Sequence, residues 1–473
     1  MDAREAEPVT DSDDASRATR IGGESSETDG LPVPQRHWVM VCILLGVALS
    51  SLDSAIANIA LPTIAHELAA SDAGIIWVVN GYQLAAAICL LPAASLGEIL
   101  GHKRVYAFGL IVFTVASLGC AMSPNLSALV SARLAQGVGG ACLSALGPAL
   151  IRGIYPRRIL GSGFALIALA VAISGAAGPT IAALILSVAT WRWLFLVNLP
   201  VCLIAVPMFL VVAPFNRGNA RAFDLAGALL TALAFGLVVI GVDGLGSGSP
   251  EVAIAEIVAG LLCFPLLVWQ QMRHTAPLLP LDLLRIPVFT LSLGTSVCSY
   301  SAQILAYVSI PFMLQTVMQR SPVATGLLVT PWPLLVAFAA PLAGRLSARY
   351  PASILGSIGL AVLALGLVSL VVLPGAPADW DIAWRMGICG LGFGFFQTPN
   401  NITVMTAGPV ARTGAAGGML AVARTIGWSL GSALVAVIFA VWPLRATIVC
   451  LEVAAGFAAF AAVLSSARFF SRR

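Results

Sequence analysis

Asp53 and Arg133 are the two residues of this 473-residue chain whose types and placement could do chemistry. Asp53 stands nine residues before Pro62 in an apolar run, and Arg133 stands in another run that begins near residue 126. An acid inside such a run costs roughly 2.5–3.5 kcal/mol on membrane-insertion scales, so it marks a functional position by default. If successive runs cross a membrane in opposite directions, a rise of 1.5 Å per residue puts Asp53 ~14 Å and Arg133 ~10 Å below the same surface. An aspartate beside a permanently charged arginine can stay ionised in low dielectric, and can take a proton when the pair separates. That chemistry is proton coupling. A static ion pair that only fixes helix packing is the plain alternative.

Other side chains could complete a site. Asn58, Trp77, Tyr82, Gln83, Gln136, Tyr307, Phe395, Gln397 and Asn400 fall inside apolar runs and could line a substrate cavity. Hydrogen bonds between helices, worth about 0.6 kcal/mol each, explain the polar ones equally well. Glu256 and Glu452 lie near the outer ends of their runs, where a glutamate reaches the interface, and Glu452 is placed to approach Arg424. The loop with Glu98, Gly101 and Arg104, the Gly178-Pro179 step, and Gly344 with Arg349 are expected to gate or flex. Pro179 removes a helix hydrogen bond, and small residues let helices approach and slide.

Several chemistries are excluded. Gly427-Trp428-Ser429-Leu430-Gly431 reads as a hydrolase nucleophile elbow, but it sits in an apolar run and no histidine follows His274. The nine cysteines lie in apolar runs and never pair as CxxC, and the four histidines stand apart. Neither a disulfide framework nor a metal site is expected. The arginines come one or two per loop, unlike a nucleic-acid surface. No enzyme activity, metal, cofactor or nucleic acid is expected.

The elements that must position these residues are membrane helices. Hydrophobic residues make up 59% of the chain and charged ones 10%, with a mean hydropathy of +0.96. Soluble domains run about 45–50% apolar and about 25% charged. Twenty-residue apolar runs also exclude outer-membrane barrels. A 19-residue window finds fourteen spans between residues 38 and 467. The organisation read from them is an acidic disordered tail over 1–36, a six-helix bundle over 37–213, a linker with two extra spans over 214–287, a second bundle over 288–467 and a short tail over 468–473. With both termini cytoplasmic, the cytoplasmic side holds fifteen of the loop and C-terminal lysines and arginines, against four opposite. The positive-inside rule therefore favours that orientation. Residues 94–110 and 344–360 align at an offset of 250, each a loop leading into a span. Repeated halves with a site between them are a common construction of secondary transporters.

Four segments carry a family resemblance. Leu52-Asp53-Ser54-Ala55-Ile56-Ala57-Asn58-Ile59-Ala60-Leu61-Pro62 is similar to an LDxTIVNxALP signature, and Arg133 through Ala141 matches RxxQGxGxA. Gly178-Pro179 matches the GP of an antiporter motif, and Trp191-Arg192-Trp193 through Asn198-Leu199-Pro200 looks like WRWxFxxNxP. After residue 37 the chain resembles the major facilitator superfamily, and within it the fourteen-span drug:proton antiporter branch (the EmrB/QacA type). The loop after span two departs from GxxxDRxGRR at Ala94, Glu98, Ile99 and His102, and Ala182 and Ala183 replace the glycines of GPxxGG.

The resemblance implies an all-α polytopic protein with the major facilitator fold. It would export small amphipathic compounds or drugs against protons by alternating access, in a bacterial cytoplasmic membrane. The expected partners are the substrate, protons and the bilayer, with a periplasmic adaptor protein left open. The alternatives are a dedicated exporter of one metabolite or antibiotic, and a membrane sensor that no longer transports. With one deep acid in the first bundle and none in spans nine to thirteen, neutral or monocationic substrates are expected and dications disfavoured.

Overall fold

The structure is a computed structural model. It describes residues 30–156, 159–215, 218, 223–247, 250–273, 282–347, 349–375, 377–408 and 413–470. Residues 1–29 of the expected acidic tail and 471–473 of the C-terminal tail lie outside the described residues.

Apolar sequence in a medium without water must satisfy its backbone internally, which leaves helices as the solution. The first bundle comprises α1 (Val33–Glu67), α2 (Trp77–Leu100), α3 (His102–Ala121), α4 (Leu126–Ile154), α5 (Leu160–Val188) and α6 (Asn198–Val212). The extra pair is α7 (Leu225–Ser247) and α8 (Pro250–Arg273). The second bundle comprises α9 (Pro287–Phe312), α10 (Pro331–Leu346), α11 (Ala352–Val371), α12 (Asp379–Thr406), α13 (Thr413–Val441) and α14 (Ala446–Phe470). Thirteen membrane-length apolar spans are found among the described residues. The fourteenth helix, α12, opens with Asp379, Asp381 and Arg385 and is 28 residues long.

Two expected tail boundaries shift. Val33–Arg36 belongs to α1, where Pro34 occupies the first turn and its missing N–H is no loss. At the other end α14 runs to Phe470, so Arg468 belongs to the bundle and is buried, not part of a tail.

Local sequence explains the interruptions. Gly101 alone joins α2 to α3 with φ of 96°, a region that glycine enters without strain. A helical segment Pro322–Val329 precedes α10 and breaks from it at Thr330, the residue before Pro331. Past Pro311, α9 continues as a π turn over Met313–Val317. The two bundles share their internal frame: α3 packs on α4, and α11 on α12. A Cβ on Gly139 would come within 2.8 Å of the Gly109 carbonyl, and one on Gly359 within 2.7 Å of the Gly392 carbonyl. Gly109 and Gly359 stand at the same 250-residue offset as the repeated segments.

Among the described residues the bundles meet chiefly where α1 packs on α9, α2 on α13, and α5 on α10 and the segment before it. The hairpin of α7 and α8 packs on itself, with α7 resting on both α2 and α13. The end of the molecule away from the termini has one core shared by both bundles, from Ile59 and Ile76 to Phe312 and Phe439. At the end bearing the termini the cores are separate, one around Ile43, Tyr106 and Phe209, the other around Leu283, Phe289 and Val404. Across the far end Gln315 donates to the Ile59 carbonyl at 2.9 Å, and the Thr180 and Thr330 hydroxyls meet at 2.9 Å.

Candidate functional site

Asp53 and Arg133 do meet. An Arg133 Nη1 lies 2.5 Å from Asp53 Oδ2, with the side chains 1% exposed. The pair is held from every side. Arg133 Nε donates to the Val78 carbonyl at 2.9 Å, and its guanidinium lies 4.6 Å from the centre of the Tyr82 ring. Asp53 Oδ1 accepts from Gln136 Nε2 at 2.8 Å and from Asn198 Nδ2 at 3.0 Å. Gln136 Oε1 accepts from Arg133 at 2.6 Å, and Gln136 Nε2 also reaches Ser117 Oγ at 2.9 Å. Three helices, α1, α4 and α6, thus meet at one carboxylate, and α2 and α3 join them through Arg133 and Gln136. Hydrogen bonds to a charged group are worth about 1.5–3 kcal/mol each, and removing one partner of a buried pair costs about 3–5 kcal/mol. The arrangement encloses the Asp53 carboxylate between α1, α4 and α6.

The geometry reassigns Gln136. Expected to line a cavity, it is fully buried and its amide bridges Asp53, Arg133 and Ser117. Asn198, which appeared only as part of a motif, is an Asp53 ligand, and the WRWxFxxNxP match was its signal. Ser117 carried no sequence signal.

The remaining cavity candidates separate into groups. Tyr82 covers Arg133 and bonds Ser50 Oγ through its hydroxyl at 2.9 Å. Gln397 Nε2 donates to the Tyr300 hydroxyl at 3.0 Å, and the Tyr300 ring stands edge-on to Trp428 and Phe393. Trp428 Nε1 donates to Gln303 Oε1 at 3.2 Å. These α9, α12 and α13 residues form an aromatic and amide surface. Gln397 and Trp428 on it are half-buried; Phe395 is half-buried too, but two residues from Gln397 it stands about 200° round α12, off this surface. Asn58 and Gln83 are buried at the level where the halves meet, and the Gln83 carbonyl accepts from Ser429 Oγ of α13 at 3.2 Å. Tyr307 stacks edge-on against buried Trp332 within the second bundle. Trp77 packs into an apolar cluster with Leu84, Val239 of α7 and Ala433 of α13.

Asn400 also belongs elsewhere. Its Oδ1 accepts from Arg468 at 2.7 Å and its Nδ2 donates to Ser296 Oγ at 2.8 Å, in a buried network with Ser292 and Ser465. Glu452 does not approach Arg424. It lies 3.7 Å from Arg445 on the exposed surface of α14. Glu256 packs against Gly241 and Gly244 within the α7–α8 hairpin. Ser429 sits well inside α13 and not at a strand-to-helix turn, so the GxSxG match is not an elbow.

The gate candidates are not gathered in one place. Glu98 is exposed at the end of α2, and Lys103 donates to the Ala213 carbonyl at 2.6 Å, closing the end of α6 in its own bundle. Arg104 lies 5.0 Å over the Phe215 ring, again in its own bundle. Arg349 is exposed, and a Cβ on Gly344 would meet only Thr398 at 3.5 Å, an ordinary contact. Gly178 and Pro179 differ. A Cβ on Gly178 would lie 2.5 Å from Ala55 Cβ of α1, and Gly326 of the second bundle packs on the Pro179 carbonyl. Ala183, where the resemblance has glycine, is buried against Gly326, so the small residue stands on the opposite wall.

Residues 43–432 match the family model described as Major Facilitator Superfamily. The chain belongs to that superfamily. Its relatives within the superfamily include the "Uncharacterized transporter YebQ" of Escherichia coli (strain K12), 49% identical over 94% of this chain and 98% of that one. The "Riboflavin transporter RibZ" of Clostridioides difficile is 31% identical, covering 86% of this chain and 89% of its own. The "Multidrug resistance protein Stp" of Mycobacterium tuberculosis is 33% identical, covering 84% and 75%. A solved peptide transporter POT aligns with a TM-score of 0.67 at 13% identity over 90% of this chain and 93% of its own, a likeness of fold. This major facilitator protein is therefore a multi-pass membrane transporter by family.

Proposed function

We propose that the protein is a proton-coupled antiporter of the fourteen-span drug-exporting branch, moving small amphipathic compounds out across the bacterial cytoplasmic membrane, with both termini cytoplasmic. The buried Asp53–Arg133 pair carries this reading. A proton on Asp53 removes the charge that holds Arg133, and so loosens α1 from α4. The motion has a short path to the other bundle. Ala55, two residues from Asp53, abuts Gly178, and the neighbouring Pro179 carbonyl abuts Gly326. Protonation on one face would thereby weigh on the contact that closes the far end, as alternating access requires. The loop with Glu98 serves in this reading as a cytoplasmic gate. The multidrug relative supports export of varied compounds. The relative named as a riboflavin transporter favours a second reading, in which one dedicated metabolite is carried.

Everted vesicles with an imposed pH gradient and a panel of fluorescent amphipaths test both readings. Gradient-driven accumulation should fall at least ~10-fold in Asp53→Asn, a loss of about 1.4 kcal/mol or more in driving the cycle, with an unchanged size-exclusion profile. Undiminished accumulation by Asp53→Asn overturns the coupling role. Turnover of one compound only would select the dedicated transporter.

A further inference from the structure

We infer that the cleft between the bundles receives amphipathic aromatic anions, with the carboxylate or sulfonate held by Arg424 and the ring by Trp428. This deepens the proposed function and rests on its reading of the protein as an exporter of amphipathic compounds. It also reverses the charge preference expected from sequence.

Arg424 lies eleven residues into α13, a depth at which a charge needs a partner. Its Nε is buried without a hydrogen-bond partner, and among the described residues no carboxylate pairs with it. Beside it stands Trp428, whose ring centre is 5.4 Å from the guanidinium carbon. Native structures pair almost all buried polar groups, and the exceptions point to a role.

The direction in which Arg424 points follows from its helix. Ser429 meets α2 through the Gln83 carbonyl. Gly427 and Gly431 press on α9, where added Cβ atoms would lie 2.6 Å from the Val297 carbonyl and 2.7 Å from the Ser301 carbonyl. Ala433 shares an apolar cluster with Val239 of α7. At about 100° per residue, Arg424 and Trp428 fall on the remaining face, between α2 and α9 and opposite α7. Ala423, beside Arg424, belongs to the core at the end bearing the termini, where the cores of the two bundles are separate, so that face borders the space between them. Tyr300, Gln303 and Gln397 stand beside it.

The charges nearby favour an anion. Asp53 is enclosed by Arg133, Gln136 and Asn198, so no face of it is left for a substrate cation. Glu452 is on the outer surface with Arg445, and Glu256 is inside the α7–α8 hairpin. A guanidinium beside an indole, with no carboxylate on it, has donors free to match a carboxylate or sulfonate in a fork. Aromatic edges from Tyr300 and Trp428 suit a flat apolar body.

Equilibrium binding to the purified full-length protein in lipid nanodiscs tests this, with three probes of one shape: 1-naphthoate, 1-naphthamide and 1-naphthylmethylammonium. Naphthoate should bind about tenfold more tightly than the amide, and the ammonium most weakly. Arg424→Gln should bring naphthoate to the level of the amide, while Arg424→Lys keeps the order with weaker binding. A purely structural Arg424 would shift all three probes together. Equal binding of naphthoate and amide to the native protein, an unchanged order in Arg424→Gln, or no binding of any probe overturns the inference. Binding is read without a gradient. Naphthoate preference without gradient-driven uptake would support the anion site and overturn the transport reading. Uptake without charge preference would do the reverse.

Discussion

The two bundles share a frame and differ in what fills it. In the first, α3 and α4 close on Gly109 and Gly139; in the second, α11 and α12 close on Gly359 and Gly392. Arg133 stands six residues before Gly139 and Gln136 three. The same steps back from Gly392 reach Met386 and Cys389, both wholly buried in apolar surroundings. One frame thus holds separable charges at its centre, and its counterpart holds a dry core. The second bundle keeps its buried polar residues elsewhere, as the Arg468–Asn400–Ser292 network that ties α14 to α12 and α9. The comparison teaches that helix approach is set by small residues at repeated spacing. A buried ion pair needs only a few positions within that frame, and one bundle suffices to hold it.

The difference can be broken most directly at its centre. Arg133→Leu strands the buried Asp53 carboxylate and should destabilise the protein by about 3–5 kcal/mol, whereas Met386→Leu at the matching place should cost less than about 1.5 kcal/mol. Thermal unfolding of the purified variants in one detergent reads both; equal effects would mean that the two centres are energetically alike. The likeness of the frames is sharpened next. Gly139→Val and Gly392→Val each force a side chain against facing backbone, so each should lose about 1–3 kcal/mol by overpacking, and by similar amounts. A large loss in one bundle only would show that the repeat has diverged in packing as well as chemistry. The smallest effect belongs to the outer surface of the second bundle. Glu452→Gln breaks an exposed pair with Arg445, and should change stability by about 0–1 kcal/mol and leave vesicle transport unaltered. Loss of gradient-driven uptake in that variant would place a second coupling acid in the second bundle.

Membrane class, the number of helices and the depth match of Asp53 with Arg133 were all legible in the chain. Burying apolar runs leaves one backbone solution, and a fixed rise per residue turns sequence position into depth. The pairings at equal depth were harder. Gln136 reads as a cavity residue because any glutamine in a span is a candidate; only the arrangement of α1, α3 and α4 turns its amide toward Asp53 and Ser117. Glu452 and Arg424 seemed able to meet because their helices are neighbours in sequence. The pitch of α14 instead carries Glu452 outward to Arg445.

What the sequence determined by itself is whatever depends on one helix at a time: span, depth, breaks at proline, and the one-residue turn at Gly101. The family signature belongs with these, because it is a matter of residue order. What only the tertiary structure decided is which faces look at each other, since a rotation of about 100° per residue makes orientation depend on every neighbouring helix at once. That is why the enclosure of Asp53, the small-residue contact passing from Ala55 through Gly178 and Pro179 to Gly326, and the face of Arg424 appear only in the assembled bundles. A side chain's depth is a property of its helix, and its partner is a property of the packing.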